Sequence, residues 1–178
     1  SGARSKSDNI FNVDLANDTT VKLTKSVAIF GANASGKSNI IRALFELRRF
    51  ILNSSKIDID TSIPVYEPFL FNTSSIEEPT VFELIFLTKT KNKFHYKLVV
   101  KQDEILEESL YHFPKKKPQE IFNRGNDKKS EDQNIHVVKL GKNFNYKKFE
   151  IYKKLPLISI FGKAENYHTT ISPVYTYF

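Results

Sequence analysis

The stretch SVAIFGANASGKSNIIRAL, residues 26–44, decides how this sequence is interpreted. Residues 27–30 are a short apolar segment, the following residues contain two glycines, and apolar residues then recur at helical spacing. This order predicts a buried parallel β-strand at 27–30, a loop at 31–38 and an α-helix after Ser38. The question is what a loop of this composition, held between a strand and a helix, binds.

The predicted helix is amphipathic. Its apolar positions are Ile40, Ala43, Leu44, Leu47 and Ile51, and its opposite face carries Arg42, Glu46 and Arg49. We therefore expect one side of the helix to pack on a sheet and the other to face water.

The loop sequence GANASGKS, residues 31–38, satisfies the phosphate-loop pattern G-x-x-x-x-G-K-[ST]. Gly31 and Gly36 allow backbone angles and close approaches that let successive N–H groups converge on phosphate oxygens. The helix dipole points at the same place, Lys37 is a mobile positive charge, and the Ser38 hydroxyl suits Mg²⁺. The alternative, a turn that only joins two elements, does not require Lys37 and Ser38. The pattern predicts a nucleoside triphosphate as ligand.

With Asn33 inside it and Asn39 after it, the loop resembles that of ABC-type ATPase heads. The similarity is to RecF, SMC and OLD-like heads and to bacterial AAA-family ATP-binding proteins of the abortive-infection and phage-defence group. Weaker matches are Pro68-Phe69, Phe82-Glu83-Leu84, Tyr96-Lys97-Leu98, residues 107–111 and residues 121–124.

The resemblance implies an α/β fold: a P-loop NTPase, specifically the N-terminal lobe of an ABC-type head with a β-rich antiparallel arm. It implies ATP and Mg²⁺ as cofactors, with Ser38 as metal ligand and Asn33 near the γ-phosphate. The residues expected to bind nucleotide are Gly31, Asn33, Ala34, Ser35, Gly36, Lys37, Ser38 and Asn39.

Two family features are missing from the sequence. No signature of the Leu-Ser-Gly-Gly type is found, and no strand ends in an acidic pair that would complete Mg²⁺ binding and polarise water. Asp103 and Glu104 follow an apolar run, but the alternation before them favours a hairpin turn over a hydrolytic acid. The catalytic residues therefore stay unknown, and we expect a partial head, cut before its second lobe.

The remainder of the chain predicts an antiparallel meander. Alternating apolar residues mark two strands at 82–86 and 94–100, joined by a turn at Lys91-Asn92. Leu106, Leu110, Ile121 and Phe122 indicate further strands, residues 125–134 indicate a mobile loop, and the run at 155–161 is strand or helix. We expect residues 1–56 to form the phosphate-loop strand and helix region, and residues 64–178 to form the arm.

Composition restricts the class of protein. The 178 residues are 40% hydrophobic and contain no cysteine, so a packed core without disulfides is expected. No apolar run is long enough for a membrane span, which favours a cytoplasmic protein without membrane partners. The net charge of +7 is compatible with nucleic acid, but the lysines are scattered and solvated surface residues are favoured. The absence of methionine indicates a fragment, a processed product, or a sequence lacking its modified methionines.

Other chemistry is weakly indicated. The histidines at 95, 112, 136 and 168 lack metal-binding spacing. Glu107 and Glu108 are adjacent, so on a strand they point to opposite faces and do not form a carboxylate pair. The abundant aromatic residues alternate, which favours a sheet core over base stacking on nucleic acid.

Three functions remain open. The leading one is ATP binding by an ABC-type head that dimerises with a second head, in bacterial defence or DNA maintenance, with hydrolysis depending on motifs outside this chain. The second is a non-hydrolysing ATP-binding module that regulates an effector protein. The third, a small P-loop kinase or GTPase, is disfavoured because the segment after the helix is β-rich and no guanine-reading motif is present.

Overall fold

The computed structural model describes residues 7–56, 60–68, 75–115, 117–125, 132–142, 144, 148–163 and 168–178. Its β-strands are β1 (Ile10–Asp14), β2 (Thr20–Thr24), β3 (Thr80–Leu87), β4 (Lys93–Lys101), β5 (Glu104–His112), β6 (Gln119–Arg124), β7 (Ile135–Leu140) and β8 (Lys148–Tyr152). Its α-helices are α1 (Lys37–Asn53), α2 (Leu157–Gly162) and α3 (Ser172–Tyr175). None of the described helices combines the length and apolarity needed to cross a membrane.

The arm is a six-stranded antiparallel meander in the order β3-β4-β5-β6-β7-β8. The predicted turn at Lys91-Asn92 joins β3 to β4, and Lys91 adopts a left-handed conformation with φ 59°. Asp103 lies in the turn between β4 and β5, as the alternation predicted. The prediction of an antiparallel arm is therefore confirmed. Residues 126–131, most of the predicted mobile loop, lie outside the described part.

One face of the arm sheet carries the core. The predicted alternation on β4 is confirmed, because Phe94, Tyr96, Leu98 and Val100 are all buried. The last turns of α1, with Leu47, Phe50 and Ile51, join this core. The run at 155–161, left open between strand and helix, contains α2. Ser159 ties α2 to α1 by donating its hydroxyl to the backbone oxygen of Ile51 at 2.6 Å.

The hairpin of β1 and β2 forms a separate two-stranded sheet. Its tip contacts the arm, where Ala16 N donates to Lys91 O at 3.2 Å and the Asn17 side-chain amide donates to Phe113 O at 3.2 Å. No strand of the arm pairs with this hairpin among the described residues. An isolated two-stranded ribbon is marginally stable, so the contact at its tip fixes its position.

The prediction of a buried parallel strand at 27–30 is wrong for the described chain. These residues form no strand, and the side chains of Val27, Ile29 and Phe30 are 76%, 51% and 91% exposed. The physical reason is the absence of a neighbour, because a strand needs hydrogen-bonding partners and β2 pairs only with β1 within the described residues. The sheet expected to carry the loop is likewise not formed by the described residues.

The prediction for the helix is half correct. Leu47 and Ile51 are buried as expected, whereas Ile40 and Leu44, in the first half of the helix, are about half exposed. The predicted face packs only where α1 reaches the arm and α2. Arg42 and Arg49, on the predicted wet face, are exposed as expected.

Candidate phosphate-binding site

The loop of residues 31–36 leads directly into α1, as predicted, although no strand precedes it. Gly36 is the N-cap of the helix and adopts a left-handed conformation with φ 82°. Ala34, two residues earlier, also has a positive φ of 63°. Alternation of left-handed and ordinary backbone angles turns successive N–H groups toward one side, which is the geometry of an anion-binding nest.

The two glycines have different roles. Gly36 supplies the positive φ, and an added Cβ there would meet nothing within 4 Å. At Gly31 an added Cβ would lie 2.8 Å from the Ser35 hydroxyl oxygen, the movable end of a short side chain, so that hydroxyl would have to shift. The backbone requirement for glycine is therefore at Gly36.

Lys37 reaches back over the loop that precedes it. Its ammonium donates to Gly31 O at 2.9 Å, to Ala32 O, and to the Ser35 hydroxyl at 3.3 Å. No carboxylate pairs with Lys37 in the portion of the chain that is described, and the first turn of α1 contains no acidic residue. The positive charge is thus fixed at the loop by neutral oxygens, so it stays available to an anion.

Backbone amides at the start of α1 add to this positive region. Two amides are already used, since Ser35 N donates to Ala32 O at 3.3 Å and Asn39 N to Gly36 O at 3.0 Å. The amides of Gly36, Lys37 and Ser38 have no acceptor among the described residues. A helix of 17 residues places its positive dipole end here. Free amides, a helix dipole and an ammonium group in one place suit the oxygens of a phosphate, so the loop is a candidate phosphate site.

The residues present fit one Mg²⁺ ion held jointly with phosphate. The Ser38 hydroxyl is exposed in the first turn of α1, and Mg²⁺ is commonly held by one or two protein oxygens plus substrate phosphates. No group of three or more histidine, aspartate, glutamate or cysteine residues that could hold a metal occurs in the described ranges. A magnesium site made of protein groups alone does not fit.

The candidate acids that follow β4 are held within the arm. Asp103 lies 3.3 Å from the ammonium of Lys154, and Glu104 lies 2.9 Å from His136 Nε2. The predicted hairpin turn is confirmed, because Gln102 and Asp103 join β4 to β5. His95 contacts Glu83, His112 contacts Asn92, and the His168 ring stacks on Phe144.

Sequence reasoning missed a set of exposed large apolar side chains that flank the loop in the sequence. We call it the apolar surface; its members are Val27, Ile29, Phe30, Ile40, Ile41, Leu44 and Phe45. The sequence did carry a signal, because Ile41 and Phe45 extend the apolar positions of α1 well beyond one stripe. Helices that are apolar over most of their circumference are buried on more than one side.

Sequence reasoning also missed a buried ion pair in the arm. Glu107 and Glu108 point to opposite faces as predicted, but Glu108 is fully buried with Arg124, 3.6 Å from its guanidinium. Burial raises the pKa of Glu108, whereas the Arg124 charge and the N–H groups of Leu157 and Ile158 oppose that rise. Burial disfavours the charged form of Arg124 as well, which lowers its pKa to about 10. The sequence did indicate that Glu108 is buried, because alternation along β5 places Glu108 on the same face as Leu110.

One protein-family model matches the chain, over residues 26–141, and its description is "AAA domain, putative AbiEii toxin, Type IV TA system". No curated protein matches the chain, and no solved structure matches it. The matched region covers more than half of the sequence, and it includes the loop, α1 and most of the arm. The chain therefore belongs to this AAA-domain family of P-loop ATPases.

Proposed function

We propose that the chain binds ATP as the N-terminal lobe of an ABC-type ATPase head. Membership of an AAA family indicates nucleotide binding in general. The observation that carries the proposal is the loop itself, where free amides, a left-handed turn and the Lys37 ammonium converge at the start of a long helix. A polyphosphate is the ligand that uses all of these groups.

Each residue of the loop has a role in this proposal. Lys37 would exchange its bonds to Gly31 and Ala32 for bonds to the terminal phosphates, and Ser38 would hold Mg²⁺. Magnesium, when bound, supplies positive charge that neutralises the phosphate oxygens. Asn33, exposed within the loop, is assigned to the γ-phosphate by resemblance to the family alone.

The apolar surface supports the assignment to one lobe of a larger head. Large apolar side chains that are exposed near one another often mark a surface that another part of a protein covers. Residues 27–30, which have strand-like composition but no strand partner, lie within this surface. We propose that a second lobe packs here, and that two such heads form a homodimer around ATP.

Hydrolysis requires groups that the described residues do not place at the loop. The two candidate acids are held elsewhere: Asp103 pairs with Lys154 and Glu104 pairs with His136, both within the arm. We therefore propose that the signature motif and acidic pair come from outside this chain. The same observation favours the second candidate, an ATP-binding module that controls an effector without turnover.

The proposed biological setting is bacterial defence, in line with the toxin and type IV TA terms of the matched family description. DNA maintenance is the second setting that the resemblance to RecF and SMC heads implies. Nucleic acid and an effector protein are both compatible partners of a chain with net charge +7.

The binding claim is tested by thermal shift with and without Mg·ATP. A ligand at 100 times its Kd stabilises the folded state by about 2.7 kcal/mol, so the wild-type melting temperature should rise. Lys37→Ala should remove most of this rise while leaving the melting temperature without ligand unchanged. Lys22→Ala, an exposed lysine on β2, is the matched control and should respond like the wild type. Equal responses of all three proteins would exclude the loop as the binding site.

Turnover separates the two candidates. ATP binding with no phosphate release, even at high protein concentration, supports a module that lacks its catalytic acid. Steady release of phosphate that is lost in Lys37→Ala would show that this chain contains the acid, and would contradict its proposed location outside.

A further inference from the structure

Five lysines from two separate segments of the chain lie at one end of the arm sheet. One segment runs from the end of β3 to the start of β4, and the other connects β5 to β6. We call these lysines the basic surface; they are Lys89, Lys91, Lys93, Lys115 and Lys117. Four are exposed and Lys93 is half-buried. The lysines that pair with a described acid are others, namely Lys97, Lys101, Lys139 and Lys154.

Hydrogen bonds and one ring contact hold the two segments side by side. Phe113 N donates to Lys93 O at 3.0 Å, and the Lys93 ammonium lies 4.9 Å from the centre of the Phe113 ring. At the tip of the β1–β2 hairpin, the Asn17 side-chain amide donates to Phe113 O at 3.2 Å and to Lys115 O at 3.5 Å. The backbone of the basic surface is therefore fixed, and only the lysine side chains have to adjust to a ligand.

The surroundings of the basic surface contain little opposing charge. Residues 88–93 and 113–118 contain no acid, and the hairpin tip that contacts them, residues 15–19, contains only Asp18. Ammonium groups gathered in one place attract phosphate groups, and this attraction weakens as salt is added. The sequence divides these lysines between two segments, and the sheet brings the segments together.

A pocket of about 240 Å³ opens beside the basic surface and shares Lys89 with it. The end of β3 and the turn after it form one wall, and the C-terminal residues form the other; the lining residues are Thr88, Lys89, Thr90, Pro173, Thr176 and Tyr177. The Tyr177 ring stacks on Phe86 with 4.3 Å between ring centres, and Tyr177 is still 50% exposed. The pocket thus offers an aromatic ring, held in place from behind, next to a lysine.

This combination favours one class of polyanion. Lysines alone would suit any chain of negative charges, including an acidic protein. Proteins that bind single-stranded nucleic acid combine positive charge along the backbone with aromatic side chains on which the bases stack. In a duplex the bases already stack on one another, so they are not available to Tyr177.

We propose that single-stranded nucleic acid binds the basic surface, with one base in the pocket against Tyr177. The lysine ammonium groups contact backbone phosphates, and the Tyr177 ring contacts a base. This inference goes beyond the proposed function and does not depend on it, because no residue of the phosphate loop at 31–38 takes part.

Fluorescence anisotropy with labelled single strands of DNA and of RNA tests the lysines. Lys89→Glu combined with Lys115→Glu should weaken binding at least about tenfold, and should make the slope of log affinity against log salt less steep by about 1.4, because each phosphate contact contributes about 0.7. Lys22→Glu combined with Lys25→Glu is the matched control, since it changes the charge equally at exposed positions of the β1–β2 hairpin. The control should bind within about threefold of the wild type. Binding of either nucleic acid supports the inference, and the tighter one identifies the ligand.

A second set of measurements tests the stacking. Tyr177→Ala should weaken binding at least about fivefold, whereas Tyr177→Phe, which keeps the ring, should bind within about twofold of the wild type. Melting temperatures show whether both variants fold. If Tyr177→Ala does not fold, the ligand decides instead: inorganic polyphosphate of matched charge has no bases and should bind the wild type at least about fivefold more weakly than the single strand.

Several outcomes would overturn the inference. Equal losses in the two double variants would mean that binding follows total charge and not the basic surface. Polyglutamate binding as tightly as the single strand, or full affinity in Tyr177→Ala, would replace nucleic acid by an acidic protein as the partner. A duplex of the same sequence that binds more tightly than the single strand would exclude stacking on Tyr177. Absence of any binding by the wild type overturns this inference and leaves ATP binding at the loop standing.

Discussion

The arm and the loop–helix region both contain large apolar side chains, but the arm buries them and the loop–helix region leaves them exposed. On β4, Tyr96, Leu98 and Val100 are completely buried. On the apolar surface, Phe30, Ile41 and Phe45 are 91%, 73% and 56% exposed. The arm closes its own core because each strand pairs with the next along the chain, whereas residues 27–30 have no strand beside them in the described part.

This difference separates stability from binding. The arm, with the last turns of α1, supplies the buried apolar area that holds the chain folded. The loop and the first half of α1 supply positive charge, free amides and uncovered apolar side chains. Substitutions in the arm should therefore change stability first, and substitutions in the loop should change ligand binding first.

The largest expected effect comes from breaking the buried ion pair in the arm. Arg124→Ala leaves Glu108 buried without its counter-charge and also removes hydrogen bonds to Leu155 O and Tyr152 O. We expect a loss of about 3–5 kcal/mol in the free energy of unfolding, measured by urea denaturation. Lys97→Ala, which breaks the half-exposed pair with Glu107 on the outer face, should cost about 0–1 kcal/mol. Similar costs for the two variants would contradict the buried character of the first pair.

A second test compares leucines in the two regions. Leu110→Ala removes a completely buried side chain of β5 and should cost about 2–5 kcal/mol. Leu44→Ala, on the apolar surface, should cost less than about 0.5 kcal/mol because that side chain is 48% exposed. Urea denaturation of both variants gives the comparison, and equal losses would mean that the first half of α1 is packed in solution.

The arm was predictable from sequence because its signals are local. Alternation sets which face is buried, and Lys91-Asn92 and Asp103 lie in short turns between strands that pair with their sequence neighbours. The structure at residues 27–30 could not be predicted in the same way. Apolar composition indicates that a segment prefers burial, but it does not supply the neighbouring strand that would bury it. The phosphate loop was identified for a third reason: its contiguous pattern encodes backbone geometry directly, down to the left-handed Gly36.

Two further features needed the structure. Ala34 has a positive φ that no glycine pattern marks. The second is the Glu108–Arg124 pair, which joins β5 to β6. Charged residues are usually exposed to solvent, so the sequence alone did not indicate a buried pair. Cross-strand register and the amides of α2 decide that Glu108 is buried, and both depend on tertiary packing.

The smallest expected effect concerns pH. Burial lowers the pKa of His112, so the unfolded chain takes up a proton at higher pH than the folded chain does. As the pH falls from about 7 to 5, the free energy of unfolding should therefore decrease. His112→Gln should make this dependence on pH less steep. Some dependence should remain, because burial and the Arg124 charge also lower the pKa of His136. Urea denaturation across this pH range measures it, and an unaltered slope in the variant would contradict the burial of His112.

Amide hydrogen exchange with and without Mg·ATP tests the central claim most directly. The account predicts slower exchange in peptides covering residues 31–39 when Mg·ATP is present, because phosphate oxygens would accept from the free amides of that loop. Peptides from β4 and β5 should exchange at the same slow rate in both conditions. Unchanged exchange at 31–39 under saturating Mg·ATP would contradict the account.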